Sequence, residues 1–210
     1  MTHAPPKPGL IDLRLELGPW NRSEARSISR RLRDGVLTDL AATPFDESSV
    51  TRDAYGRPSS PLLPELCWSA SSCDGAAALA VTNGCRVGFD IERVDPELLL
   101  RSGTPRARVE PDAIDESLLR LTLTDRELAL WRQTPEPRLF FQIWTRKEAV
   151  LKCLGCGLHT EPHLVETGRP GDAWTRATAG ALSCLVRSLE VAEGLAAAIA
   201  CEEKRSLRLG

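Results

Sequence analysis

The sequence predicts an α+β fold made of two similar α+β halves, residues 1–86 and 87–210. Three observations predict it. The order strand, helix, strands occurs roughly twice along the chain. The apolar period switches from two to 3.6 and back within each half, which separates strands from helices. Asn83-Gly84, a hairpin turn signal between two apolar runs, falls close to the division. No strong internal sequence repeat accompanies the pattern.

Residues 11–17, IDLRLEL, alternate Ile11, Leu13, Leu15 and Leu17 with polar residues, the mark of a half-buried strand. From Asn21, a candidate N-cap, to about Leu40 the period is helical, with Ala25, Ile28, Leu32 and Val36 on one stripe. A second stripe carries Arg22, Arg26, Arg30 and Arg33, which is either a solvated face or an anion site. Residues 43–64 are rich in proline and serine and read as loop. Short strands follow at 67–71 and 76–82, then a strand at 85–92 in which Val87, Phe89 and Ile91 share one face and Asp90 and Glu92 the other. Residues 93–114 read as irregular. Helices are expected at 115–121, at 124–132 with Thr124 as cap, and at 138–154. Residues 159–176 read as loop, and 182–191 with 195–201 as a hairpin.

A formal net charge of −2 argues against a general electrostatic grip on nucleic acid, so no nucleic-acid partner is expected. No run approaches the roughly 18 apolar residues of a membrane span, and the first residues, MTHAPPKPGL, lack the apolar core of a leader. These features predict a cytoplasmic protein. Seven cysteines at irregular spacing in a chain of this size favour reduced thiols.

The stretch 140–158, FFQIWTRKEAVLKCLGCGL, admits a thiol metal clip, a plain amphipathic helix, or a helix that holds a polyanion. Cys153 and Cys156 supply half a zinc site, with no second C-x-x-C and only His159 and His163 nearby. They end a helix, where a redox dithiol would begin one. At 100° per residue Trp144, Glu148 and Lys152 share one helix face, which places an acidic and a basic head together over an aromatic. Asp90 and Glu92, two residues apart on a strand, stand about 7 Å apart and can converge on a hard cation. Taken alone, that pair is a common surface pattern. Three carboxylates with lysines suit Mg²⁺ and a pyrophosphate, because Mg²⁺ takes oxygen ligands and bridges phosphates while lysine neutralises the remaining charge.

Gly88-Phe89-Asp90-Ile91-Glu92, followed by Trp144-Thr145-Arg146-Lys147-Glu148-Ala149-Val150-Leu151-Lys152-Cys153-Leu154-Gly155-Cys156-Gly157, resembles the signature pair of the 4'-phosphopantetheinyl transferase superfamily. The length is similar to that of the larger, monomeric pseudo-dimer branch typified by the surfactin-synthetase activator. Tyr55-Gly56-Arg57-Pro58 resembles that branch's Y-G-K-P element. Ser69 and Ser71 align with its N-x-S-H-S strand, and Leu123-Thr124-Asp125-Arg126-Glu127 with its F-S/T-x-x-E. Cys153 and Cys156 then fall in variable slots, while Gly155 and Gly157 let the helix end and the chain turn.

The resemblance implies two halves related by a pseudo-twofold, with the active site at their interface. It implies transfer of the phosphopantetheine arm of coenzyme A to a serine of an acyl or peptidyl carrier protein, releasing 3',5'-ADP, by a monomer that uses Mg²⁺. The carriers would belong to polyketide or nonribosomal peptide assembly. Asp90, Glu92 and Glu148 would hold the metal. Glu127 would be the base, Lys152 would serve the leaving phosphate, and Lys147 would be a second phosphate ligand. Arg57, Ser69 and Ser71 would bind the nucleotide. Four positions depart from the pattern: Ala70 replaces the histidine of S-H-S, Cys67 its asparagine, Arg57 the lysine of Y-G-K-P, and Leu123 the aromatic of F-S/T-x-x-E. Arg26, Arg30 and Arg33 are the candidates to compensate for Ala70. The competing reading is a non-catalytic relative that binds coenzyme A or a carrier protein without turnover.

Overall fold

The computed structural model describes residues 10–100, 114–157 and 160–203. The expectations for residues 1–9, for most of the irregular 93–114 segment and for His159 lie outside the described residues.

The chain begins with β1 (Ile11–Leu17) and α1 (Arg22–Ala41), then β2 (Thr51–Arg52) and β3 (Pro58–Ser59), and continues with β4 (Leu66–Cys73), β5 (Ala76–Asn83) and β6 (Val87–Arg93). Three helices follow, α2 (Glu116–Thr122), α3 (Asp125–Gln133) and α4 (Pro137–Leu154), and then β7 (Val165–Glu166), β8 (Thr175–Ala179), β9 (Leu182–Leu189) and β10 (Leu195–Cys201). The architecture is mixed α+β with antiparallel sheets. One sheet has the order β1-β5-β4 and the other β6-β10-β9-β8-β7, while β2 and β3 pair alone. Among the described residues no helix is long and apolar enough to cross a membrane.

Local chemistry explains the helix ends. The Asn21 side chain accepts from the Ser23 and Glu24 N–H groups while Glu24 reaches back to the Asn21 N–H, so both orphan ends are satisfied. Thr124 and Glu127 form the same reciprocal box on α3. Gly155, at φ +70°, ends α4 in the left-handed region that glycine tolerates.

Asn83-Gly84 does not close a hairpin. β5 pairs with β1 and β4, and β6 pairs with β10, so the turn carries the chain from one sheet to the other. The hairpin lies one turn earlier, at Asp74-Gly75, where Cys73 pairs with Ala76 and Gly75 sits at φ +85°. The 159–176 segment expected as loop contains β7 and the first two residues of β8; Thr175–Ala179, TRATA, has too few large apolar residues to stand out as a strand.

β5 lies between two layers. Its Leu79 and Val81 pack with Val36 and Leu37 of α1, and its Ala76, Ala78 and Ala80 pack with Phe89 and Ile91 of β6 and Ala197 and Ile199 of β10. Alanines on that face let the two sheets approach. On its other face β6 meets α4 so closely that a Cβ on Gly88 would stand 1.9 Å from Ala149 O and 2.5 Å from Cys153 N. Both neighbours are backbone atoms of α4, so no side chain can move aside. Gly88 is the position at which α4 and β6 touch backbone to backbone.

Gly88→Ala is therefore expected to force α4 off β6. Overpacking a close backbone contact costs about 1–3 kcal/mol or more, readable as a lower urea midpoint without a change in slope. A variant as stable as the parent would show that the contact yields easily.

Candidate active site

The site lies where β4, β6 and α4 meet. Ser69 on β4 stitches the first sheet to β6, accepting from Phe89 N–H at 3.0 Å. Two residues on, Ser71 Oγ donates to Asp90 Oδ1 at 2.8 Å. The same carboxylate oxygen receives Lys152 Nζ from α4 at 2.7 Å, and Lys152 also reaches Phe89 O at 3.2 Å. Asp90 is thus held by one group from β4 and one from α4, and all three belong to one polar cluster.

Two carboxylate oxygens here are bare. Asp90 Oδ2 and Glu148 Oε1 are both buried and have no hydrogen-bond partner among the described residues. Such atoms are costly, since a buried unsatisfied acceptor loses its hydration without return. Glu92, two residues along β6, is paired among the described residues with Arg22, at 3.4 Å across the surface from the start of α1. Burial, then the charge of Asp90, pushes the Glu92 carboxyl up to about 7, with Glu148 adding to the effect and Arg22 and Lys152 opposing it. Burial and then Asp90 likewise raise the proton affinity of Glu148. The three carboxylates therefore crowd one another electrostatically.

Glu148 and Lys152 project from successive turns of α4, and Trp144 from the turn before. The eight rises from Trp144 to Lys152 span about 12 Å of helix. At one end Lys152 lines a cleft of about 680 Å³ whose wall includes Arg26, Arg30, Arg33, Arg52 and Arg57, with Ser69 and Ala70 on its floor. At the other end Trp144 and Glu92 line a groove of about 520 Å³ walled by Leu98, Leu118, Leu121, Phe140 and Phe141. The carboxylates lie between a cationic cleft and an apolar groove.

Not every arginine in the cleft is free to meet a ligand. Arg33 is buried and paired with Asp34 and Glu47, both at 2.6 Å, Arg52 is paired with Glu47, and Arg57 with Asp53. Arg26 and Arg30 are exposed on α1 and have no ion pair among the described residues. The Arg57 side chain lies 3.6 Å from where a Cβ on Gly155 would stand, so the glycine that ends α4 also leaves room for this arginine.

Of the residues expected at the site, Asp90, Glu92, Glu148 and Lys152 come together, and Arg26, Arg30, Arg57 and Ser69 gather in the adjoining cleft. Ser71 belongs with Asp90 and not with the cleft. Glu127 and Lys147 do not join them. They form a buried ion pair of their own at 2.6 Å and line neither the cleft nor the groove. Lys147 follows from the helical period: it lies about 100° around α4 from Glu148, on the side of Ile143, Val150 and Leu151. The sequence pattern places Arg22 only in the arginine stripe and gives Arg146 no role of its own. Arg146, fully buried, donates to Thr167 O at 2.6 Å and to the Thr175 hydroxyl, and burial lowers its affinity for its proton to about 10.

Could the cluster hold a metal? Among the described residues no three Asp, Glu, His or Cys side chains already converge on one position. The donor set still suits a hard cation: three carboxylates, two with a bare buried oxygen and two with raised proton affinity, are what a divalent ion would neutralise. The cysteines do not compete. All seven are free, and Cys153 is a buried thiol whose proton is held more tightly than usual by a hydrogen bond with Cys184 and by burial.

No curated protein matches the chain. The sequence model of the 4'-phosphopantetheinyl transferase superfamily matches residues 86–200, from the start of β6 through nearly all of β10. That stretch contains Asp90, Glu92, Glu127, Lys147, Glu148 and Lys152, while the arginines of the cleft lie before it. Because the match takes in more than half of the 210 residues, and with them the β6–α4 contact that gathers the carboxylates, this chain belongs to the 4'-phosphopantetheinyl transferase superfamily.

Proposed function

We propose that the protein transfers the 4'-phosphopantetheine arm of coenzyme A to a serine of an acyl or peptidyl carrier protein, releasing 3',5'-ADP, and that it acts as a cytoplasmic monomer. The observation that carries this reading is the pair of bare, buried carboxylate oxygens, Asp90 Oδ2 and Glu148 Oε1, set between a cationic cleft and an apolar groove. A donor with an anionic nucleotide end and a longer uncharged arm matches that sequence of surfaces.

On this reading Arg26, Arg30 and Arg57 bind the phosphate-bearing nucleotide end, since arginine grips phosphate with paired N–H groups. Ser69 lines the same wall, but its hydroxyl serves mainly to seat Phe89. Asp90, Glu92 and Glu148 would hold Mg²⁺, which would supply positive charge against the pyrophosphate as the serine oxygen bonds to phosphorus and the bond to 3',5'-ADP breaks. Lys152, already at the edge of the cleft, donates to the departing ADP phosphate, while Ser71 keeps Asp90 turned toward it. The apolar groove beside Glu92 receives the carrier, whose serine hydroxyl gives its proton to the carboxylates that line the site.

Ala70 favours the non-catalytic alternative, because it places a methyl group where the family pattern has a histidine. Arg26 and Arg30, facing the same cleft without ion pairs among the described residues, offset that loss. An apo-carrier incubated with coenzyme A and Mg²⁺ is expected to gain the mass of one phosphopantetheinyl group by intact-mass measurement. Binding of coenzyme A without that gain would select the non-catalytic reading.

The compensation has its own test. Arg30→Ala is expected to weaken coenzyme A binding about tenfold, and less so at high salt where phosphate contacts are screened, whereas Ala70→His changes it little. Titration calorimetry reads both. A large gain from Ala70→His with no loss from Arg30→Ala would assign the phosphate contact elsewhere.

The carboxylate cluster makes a prediction about pH. Glu92 holds its proton up to about 7 in the folded protein against an ordinary value of 4.5, so between those values the folded state binds a proton that the unfolded state has released. Metal-free protein should then lose stability as pH rises through that window and level off above it. Mg²⁺ binds the ionised carboxylates, so its stabilising effect on thermal unfolding should be larger at pH 8 than at pH 5.5. Asp90→Ala should abolish the Mg²⁺ effect. A melting temperature indifferent to Mg²⁺ at pH 8 would remove the metal from this site.

A further inference from the structure

Glu127 and Lys147 occupy the interior, 3% and 0% exposed, with Nζ 2.6 Å from Oε2. Apart from the Thr124 N–H that caps α3, their remaining hydrogen bonds go to the framework around residues 162–167. Lys147 Nζ donates to Pro162 O at 3.0 Å and to Val165 O at 2.6 Å. Thr167 Oγ1 donates to Glu127 Oε1 at 3.0 Å, and Thr124 N–H to Oε2 at 2.9 Å. Beside Lys147 on α4, Arg146 donates to Thr167 O at 2.6 Å. Two successive buried cations thus hold both ends of the 162–167 segment. That segment in turn presents Pro162 and His163 to the wall of the apolar groove, opposite Trp144 and Glu92.

We infer that the Glu127–Lys147 pair is a positioning device that fixes the 162–167 segment, and through it the acceptor wall of the groove, in place of acting as proton acceptor and phosphate ligand. The inference rests on reading that groove as the carrier side. A base must reach the hydroxyl it deprotonates, and Glu127 is enclosed by three donors that are all parts of the fold. A phosphate ligand must turn its charge to the cleft, and Lys147 turns it to two backbone carbonyls and a carboxylate. The arrangement has a definite energetic signature. Removing one charge strands the other in the interior, whereas removing both does not.

The test compares Lys147→Met with the double variant Glu127→Gln/Lys147→Met, by hydrogen exchange and by steady-state transfer to an apo-carrier. Lys147→Met is expected to quicken amide exchange at residues 162–167 and to raise the Michaelis constant for the carrier about tenfold, with that for coenzyme A within about twofold. In the double variant the exchange protection should return and the carrier constant should fall to within about threefold of the parent. A double variant no more active than the single one returns Glu127 to proton transfer, and a raised coenzyme A constant in both returns Lys147 to the phosphates. Either result overturns the inference, as does unchanged exchange at 162–167 in Lys147→Met. Should that variant fail to fold, Glu127→Gln decides alone. It keeps an acceptor for the Thr124 N–H and should hold the turnover number within about threefold, where loss of a general base costs about 10² to 10⁴. A parent protein inactive in transfer strikes the transferase reading only, since the exchange measurement needs no turnover.

Discussion

The close contact of α4 with β6 at Gly88 is the constraint on which the rest of the site depends. A strand and a helix normally pack through side chains, which keeps their backbones well apart. Here one residue without a side chain lets the helix settle onto the strand, with Ala149 O where a methyl would be. Asp90 follows Gly88 by two residues on the same strand face, and Glu148 and Lys152 flank Ala149 and Cys153 on the helix. The backbone contact sets the distance between the acidic strand and the acidic and basic turns of α4. Lys152 can then reach Asp90 at 2.7 Å while Glu148 stays close enough to feel its charge.

That closeness stores electrostatic tension. Burying three carboxylates beside one another is unfavourable unless cations answer them, and the chain supplies only part of the answer. Lys152 neutralises Asp90, and Arg22 touches Glu92 across an exposed 3.4 Å contact. The remainder appears as raised proton affinity on Glu92 and Glu148 and as two bare oxygens. A fold built for stability alone would have little reason to keep such a cluster. The buried pair of Glu127 and Lys147 shows the contrast, since each of its charges is met by its partner and by further hydrogen bonds. The two acidic centres on either side of α4 differ in that one is closed by the protein and the other is left open.

The first sheet contributes through a different route. β5 presents alanines to the second sheet and large side chains to α1, so α1 and β4 are carried close to β6 without crowding it. Ser69 and Ser71 then bond directly to Phe89 and Asp90, and the exposed stripe of α1 comes to overlook the end of α4. A cationic cleft results from the meeting of two helices that are far apart in the chain.

Much of this was legible in residue order. The strand with Asp90 and Glu92 on one face, the helix with Trp144, Glu148 and Lys152 on one face, and the caps at Asn21, Thr124 and Gly155 are consequences of local periodicity and local hydrogen bonding. These properties need no partner element to be defined. The seating of Lys147 on the buried side of α4 was legible too, because 100° per residue separates it from Glu148. The hairpin was readable at Asp74-Gly75, yet Asn83-Gly84 carries the same kind of signal and closes none: a turn propensity says that the chain reverses, not which strand it will pair with. Only the tertiary structure decided that Glu127 and Lys147 neutralise each other, that Ser71 serves Asp90, and that Arg26 and Arg30 have no ion pair among the described residues while Arg33 and Arg52 do. The physical reason is that the ionic role of a side chain depends on which opposite charge the fold brings within a few ångströms and how much water it leaves between them, and neither is a property of sequence spacing.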